Sequence, residues 1–458
     1  MSDLATEQRP SEQGKQTIQT LKTLNSLRAF QRSPLDFLST LAQDYGNMVR
    51  IKLFIWPTLI INHPDYIKRV LQENYSNYDK NVPIFNVFRP LLGNGLVTNY
   101  GGENWLQQRR LMQPAFHRQR IADIGAIISE ATAVMLERWE EHARSQQPLD
   151  VAEEMMHLTL QIVGKALFSS NINDQTNAFG WAFSQVNAFL IEHFNHPFPP
   201  LSVPTPRNRR FKAALRTLDS VVYDILEQRR QSKEEHRDLL AMMMDARDEE
   251  TGVGMNDKQL RDEIMTLLVA GHETVANALA WNWYLLAQNP EAEGKLHSEL
   301  DSVLKGRVPI VEDLARLPYA RMVFEETMRL YPPVWIIMRK AIKDDEIGGH
   351  HIPAKSYILW STYALHRHPD FWERPEAFEP ERFTPERVAA RPRHAYVPFS
   401  HGPRVCIGNS FALTEAHLII AAIAQRYRLV LVPDQKVESE ALMTLSPRNG
   451  IRVQLHSR

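Results

Sequence analysis

Hydrophobic residues recur along most of this chain at the three-to-four-residue spacing of amphipathic helices. The spacing predicts helices over residues 33–45, 65–73, 105–116, 121–145, 151–168, 209–230 and 256–288. Shorter strand-like runs lie at 48–53, 58–61, 335–341, 357–361, 427–432 and 451–455, with a break at Trp56-Pro57 between the first two. We therefore expect a mainly α fold with a small β region.

The predicted helix at 256–288 is the longest. A capping box at Asn256 begins it and Asn289-Pro290 ends it, so it extends about 48 Å and crosses the whole domain. Its middle is apolar on nearly all sides, apart from the sequence Gly-His-Glu-Thr at 271–274. Interior glycine and buried glutamate both destabilise a helix, so these residues indicate a functional site, with a solvated kink as the alternative.

Composition and charge narrow the class of protein. The 458 residues contain 53 Lys+Arg against 54 Asp+Glu, which leaves no basic excess for nucleic acid. One cysteine excludes a disulfide framework and fits a reducing compartment. No apolar run is long enough to span a membrane and no targeting segment is evident, so we expect a cytoplasmic protein with a mobile tail at 1–25 and a single domain at 26–458.

Prolines concentrate between residues 366 and 386, where they predict an ordered coil. The lone Cys406 follows in the sequence FSHGPRVCIG, just before another predicted helix. Glycines beside the thiol allow close approach of a flat ligand, and the helix N-terminus favours the thiolate. A buried structural cysteine and a nucleophile activated by His401 are the alternatives. A single thiolate suffices as the axial ligand of a haem, whose macrocycle supplies the other four ligands.

This loop resembles the Phe-x-x-Gly-x-Arg-x-Cys-x-Gly signature of the cytochrome P450 family of haem-thiolate monooxygenases. Four further motifs follow the family's order along the chain: Trp-x-x-x-Arg at 105–109, Ala-Gly-x-Glu-Thr at 270–274, Glu-x-x-Arg at 326–329 and Pro-Glu-Arg-Phe at 380–383. The resemblance implies the P450 fold, with the long central helix beside a buried haem b, and O2 as the oxidant.

The resemblance also implies roles for individual residues. Cys406 would ligate the iron, Thr274 would hydrogen-bond to dioxygen, and Glu273 would gate proton delivery. Glu326, Arg329 and Arg382 would form a structural network. The residues expected to contact haem are Trp105, Arg109, Ala270, Gly271, Arg339, Phe399, Gly402, Arg404, Cys406 and Gly408, with the arginines on its propionates.

The family's pocket positions are apolar here and predict a lipophilic substrate, either a fatty acid or a terpenoid. The expected pocket residues are Phe85, Val87, Phe88, Phe183, Val269, Val334, Ile337 and Met443. Arg207, Arg209 and Arg210 lie near the predicted pocket entrance, where they would attract a fatty-acid carboxylate; a solvated basic turn is the alternative.

The sequence contains no nucleotide-binding fingerprint, so electrons would come from an external ferredoxin or flavodoxin with its NAD(P)H reductase. Arg110 and Arg118 would help to dock such an acidic partner. The alternative functions are a peroxide-driven peroxygenase and a non-catalytic haem-thiolate ligand sensor. The acid and alcohol at 273–274 argue against the sensor, which needs no proton relay.

Overall fold

Helices form most of the protein. The computed structural model describes residues 18–20, 23–53, 56–116, 118–168, 173–195, 199–232 and 238–458. Its helices are α1 Thr23–Arg32, α2 Pro34–Asp44, α3 Pro64–Lys68, α4 Pro83–Leu92, α5 Gly102–Met112, α6 Arg118–Ser145, α7 Val151–Phe168, α8 Asn173–Asn195, α9 Pro206–Gln231, α10 Leu239–Asp245, α11 Asp257–Gln288, α12 Pro290–Leu304, α13 Pro318–Leu330, α14 Thr362–Leu365, α15 Pro385–Ala390 and α16 Asn409–Arg426.

The strands are short and form small sheets. They are β1 Gln19–Thr20, β2 Met48–Leu53, β3 Trp56–Ile61, β4 Tyr78–Asp79, β5 Leu149–Asp150, β6 Ile336–Ala341, β7 Asp345–Ile347, β8 His350–Ile352, β9 Tyr357–Ser361, β10 Tyr427–Leu431, β11 Glu438–Ala441, β12 Leu445–Arg448 and β13 Arg452–Ser457. The largest sheet has the order β1-β2-β3-β9-β6-β4, a second has the order β10-β13-β5, and β7-β8 and β11-β12 are hairpins. The mainly α prediction is confirmed.

Helix α11 runs through the centre of the largest hydrophobic core. Its capping box is formed as predicted: the Asn256 side chain accepts a hydrogen bond from the backbone amide of Gln259, and the Gln259 side chain accepts one from the backbone amide of Asn256. Helices α7, α9, α13 and α16 pack around it, and most of its 32 residues are buried. Burial on all sides explains why the sequence of α11 is apolar nearly all round.

One prediction about the chain's first strands is wrong. Trp56 and Pro57 do not break the chain, because both pair within the β2–β3 hairpin, opposite Leu53 and Lys52. The described part of the expected tail is ordered: Gln19–Thr20 pairs with β2, and α1 begins at Thr23. Residues 1–17 and 21–22 of that tail lie outside the described residues. Within the described part of the chain, no helix has the length and apolarity needed to span a membrane.

The proline-rich segment from His366 is an ordered coil, as predicted. Before α15 it contains only one short helical turn, Pro380–Phe383. Side chains of neighbouring elements hold its backbone groups: the Arg329 guanidinium reaches three of its carbonyls, and His366 Nε2 accepts the amide of Val397 at 2.9 Å. The coil is therefore fastened to α13 immediately before the cysteine loop.

Candidate active site

The cysteine loop is shaped by a glycine in the left-handed region. Gly402 has φ +71°, and an added Cβ would lie 2.0 Å from the carbonyl oxygen of Leu71. The Val405 amide then closes a turn on the Gly402 carbonyl at 3.0 Å, and the Cys406 amide donates to the Phe399 carbonyl at 2.9 Å. Only glycine meets both the conformational and the steric requirement at 402. The thiol is thereby held one turn before α16.

We expect Gly402→Ala to destabilise the protein by about 3 kcal/mol, because it combines backbone strain with a clash against fixed backbone. Gly349→Ala is the matched control, since Gly349 also has a positive φ (+77°) but nothing lies within 4 Å of an added Cβ. The measurement is denaturant unfolding of the three proteins. Equal losses in both variants would show that the Leu71 contact contributes nothing.

Gly408 does not share this constraint. Its φ is −87°, and the nearest atom to an added Cβ is a Phe116 ring carbon at 4.0 Å. Of the two glycines beside the thiol, only Gly402 therefore needs the left-handed backbone conformation. Contact with a flat ligand remains the predicted reason for glycine at 408.

The electrostatics of Cys406 differ from the prediction. Burial raises the pKa of the thiol, and the Gly408 amide together with the cations of Arg109 and Lys80 lowers it only in part. The side chain nevertheless has solvent-accessible surface. A thiol enclosed by protein yet accessible faces an internal cleft, as an axial ligand must. Metal coordination itself deprotonates a thiol, so the protein's cations need not do so alone.

Four buried or half-buried cations surround this cleft, and we call Lys80, Arg109, Arg339 and Arg404 the cationic cluster. Burial lowers the pKa of all four, to about 9 for Arg339 and about 10 for Arg404. Mutual repulsion lowers it further for Lys80 and Arg339. Among the described residues, the Asp79 carboxylate acts on both Arg339 and Arg404. The cluster therefore carries excess positive charge beside the thiol, which suits a ligand with two carboxylates.

Backbone carbonyls hold each cation in place. Arg109 donates to Val405 (2.8 Å), Arg339 to Met338 (2.9 Å) and Lys80 to Val97 (3.0 Å). Arg404 donates to the carbonyls of Asn99 and Tyr100, at 3.3 and 2.9 Å. Each guanidinium keeps further N–H donors for an anion. These residues fit a haem, with two propionates on the cations and the iron on the Cys406 sulfur.

Trp105, which was predicted, and Lys80, which was not, both lie at this site. The buried Trp105 ring lies under the Arg404 guanidinium, 4.5 Å from ring centroid to Cζ, so it orients that arginine by a cation–π contact. Lys80 was missed by sequence reasoning. It directly follows the two-residue strand β4, and one lysine after a short strand gives no signal that distinguishes it from a solvated side chain.

Thr274 and Gly271 on α11 make different contacts. The Thr274 hydroxyl donates to the carbonyl of Ala270, one turn earlier, at 2.6 Å, and its side chain is half-buried. An added Cβ at Gly271 would lie 3.1 Å from Val163 on α7, so glycine here permits close helix packing. Ala270 and Gly271 are expected haem contacts, and the structure gives Gly271 this packing reason as well.

Glu273 is buried and faces away from solvent. Its Oε1 accepts a 2.6 Å hydrogen bond from Thr444, which lies in the turn between β11 and β12. Burial raises the pKa of Glu273, whereas the side chains of Thr444 and Asn187 lower it. Thr444, 171 residues away in sequence, was not predicted, since nothing in a lone threonine indicates this partner.

The Glu326–Arg329–Arg382 network is formed as predicted. The side chains of Glu326 and Arg329 have 0% exposure and make a two-pronged pair, at 2.7 and 2.8 Å. Arg382 Nε lies 3.3 Å from Glu326 Oε1, and Glu326 also accepts the amide of Glu379 at 2.8 Å. The network joins α13 to the proline-rich coil, and its structural role remains a prediction.

The predicted pocket residues fall into three groups. Phe183 and Val269 belong to the largest core, and Val87, Phe88 and Met443 pack against it. Ile337 packs against a different core, on β6. Phe85 lies under the Lys80 ammonium at 5.1 Å, and Val334 is 39% exposed. The first five therefore lie around one apolar region; whether any of the eight contacts substrate remains a prediction.

Of the two arginines expected to dock a redox partner, Arg110 is less available than the sequence suggests. Arg110 forms ion pairs with Asp248 at 3.0 Å and with Glu250 at 3.2 Å. These carboxylates neutralise much of its attraction for an acidic partner. The side chain of Arg118 lies outside the described residues.

Comparison with known proteins gives one consistent result. The family model described as Cytochrome P450 matches residues 14–455. Cyclooctatin synthase of Streptomyces melanosporofaciens is 37% identical, over 91% of this chain and 90% of its own length. Cyclooctat-9-en-7-ol 5-monooxygenase of the same organism is 37% identical (90% and 88% covered), and pentalenene oxygenase of Streptomyces avermitilis is 32% identical (93% and 94%).

A solved structure shows the same fold. The crystal structure of the cytochrome P450DA heme domain superposes with a TM-score of 0.85 at 26% identity, covering 94% of this chain and 93% of that one. The haem cofactor and the monooxygenase activity implied by the cysteine loop are thereby established at the level of the family. Given a family model spanning nearly every residue and relatives matched over nine-tenths of their length, this chain belongs to the cytochrome P450 family.

Proposed function

We propose that this P450 inserts one oxygen atom from O2 into a terpenoid. The observation that carries the proposal is the similarity, over nine-tenths of the chain, to three bacterial relatives whose names denote terpenoid oxidation. A fatty acid is the second candidate from the sequence, and it requires a cation for its carboxylate. Arg207, proposed for that task, is paired with Glu192 at 3.2 Å and lies over the Phe189 ring. This pairing makes Arg207 less available to a carboxylate.

Haem, held by Cys406 and the cationic cluster, supplies the oxygen-activating chemistry when it is bound. The cluster orients the two propionates, and Phe399 and Gly402 fix the loop that presents the sulfur. We propose that Lys80 acts with Arg109, Arg339 and Arg404 in this binding. Its buried ammonium lies near all three arginines and the thiol.

Thr274 and Glu273 handle protons in this proposal. The Thr274 hydroxyl donates its one hydrogen to the Ala270 carbonyl. The lone pairs of Oγ1 on this half-buried side chain therefore remain available to accept a hydrogen bond. There it accepts a hydrogen bond from a proton donor in the active site. The Glu273 carboxyl, whose burial raises its pKa, holds the proton that is delivered next.

We expect Thr274→Ala to lower the product formed per NAD(P)H consumed by roughly ten-fold and to raise peroxide release, because the acceptor at Oγ1 is lost. Thr274→Ser retains the hydroxyl and serves as the matched control. Product, cofactor consumption and peroxide are measured in one assay. Unchanged stoichiometry in the alanine variant would remove Thr274 from oxygen activation.

We further propose that electrons come from an external ferredoxin or flavodoxin with its NAD(P)H reductase, and that the protein works in the cytoplasm, where its single thiol stays reduced. A peroxide-driven peroxygenase is the alternative. Product with peroxide alone, and none with any redox partner, would favour it.

The substrate class is tested by titrating ferric holoprotein with cyclic terpenes and, separately, with a long-chain fatty acid. Displacement of the iron-bound water shifts the Soret band toward the high-spin form. We expect terpenes to cause this shift and to yield oxygenated product with redox partners. A response to the fatty acid alone would reverse the assignment.

A further inference from the structure

The turn between β11 and β12, residues 442–444, is fastened to the protein interior at several points. The indole of Trp281 on α11 donates to the Leu445 carbonyl at 3.0 Å, and the indole of Trp335 donates to the Leu442 carbonyl at 2.9 Å. The backbone amide of Leu445 donates to the Pro333 carbonyl at 3.0 Å. The turn therefore has a fixed position relative to α11.

At its end, the buried Thr444 hydroxyl lies between two polar residues of α11. Asn277 Nδ2 donates to Thr444 Oγ1 at 2.8 Å, and Thr444 Oγ1 donates to Glu273 Oε1 at 2.6 Å. A hydroxyl carries one hydrogen, whereas an amide nitrogen can only donate. Asn277 thus occupies the acceptor side of the hydroxyl and leaves its hydrogen for Glu273.

This arrangement makes the two oxygens of Glu273 unequal. Oε1 already accepts a hydrogen bond from Thr444. A proton bound to Oε1 would be repelled by the Thr444 hydroxyl hydrogen. Oε2 is buried and makes no hydrogen bond among the described residues, although the Asn187 side chain lies near the carboxyl. We propose that Thr444 is a positioning residue that makes Oε1 the carbonyl oxygen of Glu273 and Oε2 the oxygen that holds and releases the proton. The inference rests on the proton-delivery role proposed for Glu273.

Two further observations support this assignment. Burial raises the pKa of Glu273, which favours the protonated form that the assignment requires. Met443, next to Thr444 in the same turn, packs against the largest core and is a predicted substrate contact. The residue that orients the acid and a side chain expected to touch substrate therefore share one short turn.

The test uses holoprotein with Thr444→Val, which keeps the shape and removes the hydroxyl, and Thr444→Ser, which restores it. The first readout is the infrared C=O stretch of the protonated Glu273 carboxyl, identified by its loss in Glu273→Gln. Removing the hydrogen bond to the carbonyl oxygen shifts this band to higher wavenumber. We expect the upshift in the valine variant and its reversal in the serine variant. An unmoved band in the valine variant would overturn the inference.

The second readout is product formed per NAD(P)H consumed. We expect Thr444→Val to lower it roughly five-fold, the loss of one hydrogen bond, and Thr444→Ser to restore it. If Glu273→Gln uncouples the reaction but Thr444→Val does not, the inference fails while the role of Glu273 stands. If Glu273→Gln leaves coupling unchanged, the proton-delivery role itself fails, whatever the infrared band shows.

Discussion

Replacing Cys406 by serine is expected to abolish monooxygenation and to change the spectrum of the ferrous carbon-monoxide complex from the thiolate type to another. The thiolate donates electron density that favours O–O cleavage, and a serine oxygen in the same place does not replace it. The surrounding loop remains formed, because the Cys406 amide still donates to the Phe399 carbonyl. The measurements are the carbon-monoxide difference spectrum and product formation with redox partners.

Ser410→Ala is the control for this change. Ser410 is exposed at the start of α16, and its hydroxyl donates to the neighbouring Asn409 side chain, so the variant tests whether any substitution in this region disturbs the haem. We expect its spectrum and activity to match the unaltered protein. A thiolate-type spectrum in the serine variant at 406 would contradict the assignment of the iron ligand.

The second large effect is expected from Arg329→Ala, which should lower the free energy of unfolding by about 3–5 kcal/mol. The substitution leaves Glu326 as a fully buried charge with Arg382 as its remaining cationic partner. It also removes the donors for the carbonyls of His366, Pro375 and Ala377. The proline-rich coil loses its attachment to α13, so haem content should fall together with stability.

Arg321→Ala is the matched control on the same helix. Arg321 pairs with Glu325 at 3.1 Å, and the two side chains are 65% and 13% exposed, against 0% for both Glu326 and Arg329, so we expect a smaller loss. Denaturant unfolding and haem content are measured for both variants. Similar losses in the two would show that burial of the Glu326 network has no special effect.

Local sequence predicted much of the architecture, because helices and caps depend on neighbours in the chain. The bounds of α7 and β9 agree with their predictions, and the capping box at Asn256 is formed. The Glu326–Arg329 pair was also accessible, since residues three apart share a helix face. The hairpin at Trp56-Pro57 was misjudged because a proline is tolerated where a strand needs no amide donor.

The site itself combines both kinds of information. The cysteine loop, the acid and alcohol of α11 and the basic residues at 109, 339 and 404 were identified from motifs within short segments. Lys80 and Thr444 were not, because each functions through partners far away in the chain: Lys80 beside Arg339 and Cys406, and Thr444 against Glu273. Periodicity and spacing carry no signal for such contacts.

By itself, the sequence determined the helical class and the family, and it predicted the residue that binds iron, since these depend on hydrophobic spacing and on contiguous motifs. Only the tertiary structure shows why residue 402 must be glycine: the Leu71 carbonyl lies where a Cβ would be. It also decided that the cations converge beside the thiol and that Thr444 reaches Glu273. The reason is physical: these features arise only when segments distant in sequence pack together, and that packing places charges, hydroxyls and backbone at distances that no local pattern encodes.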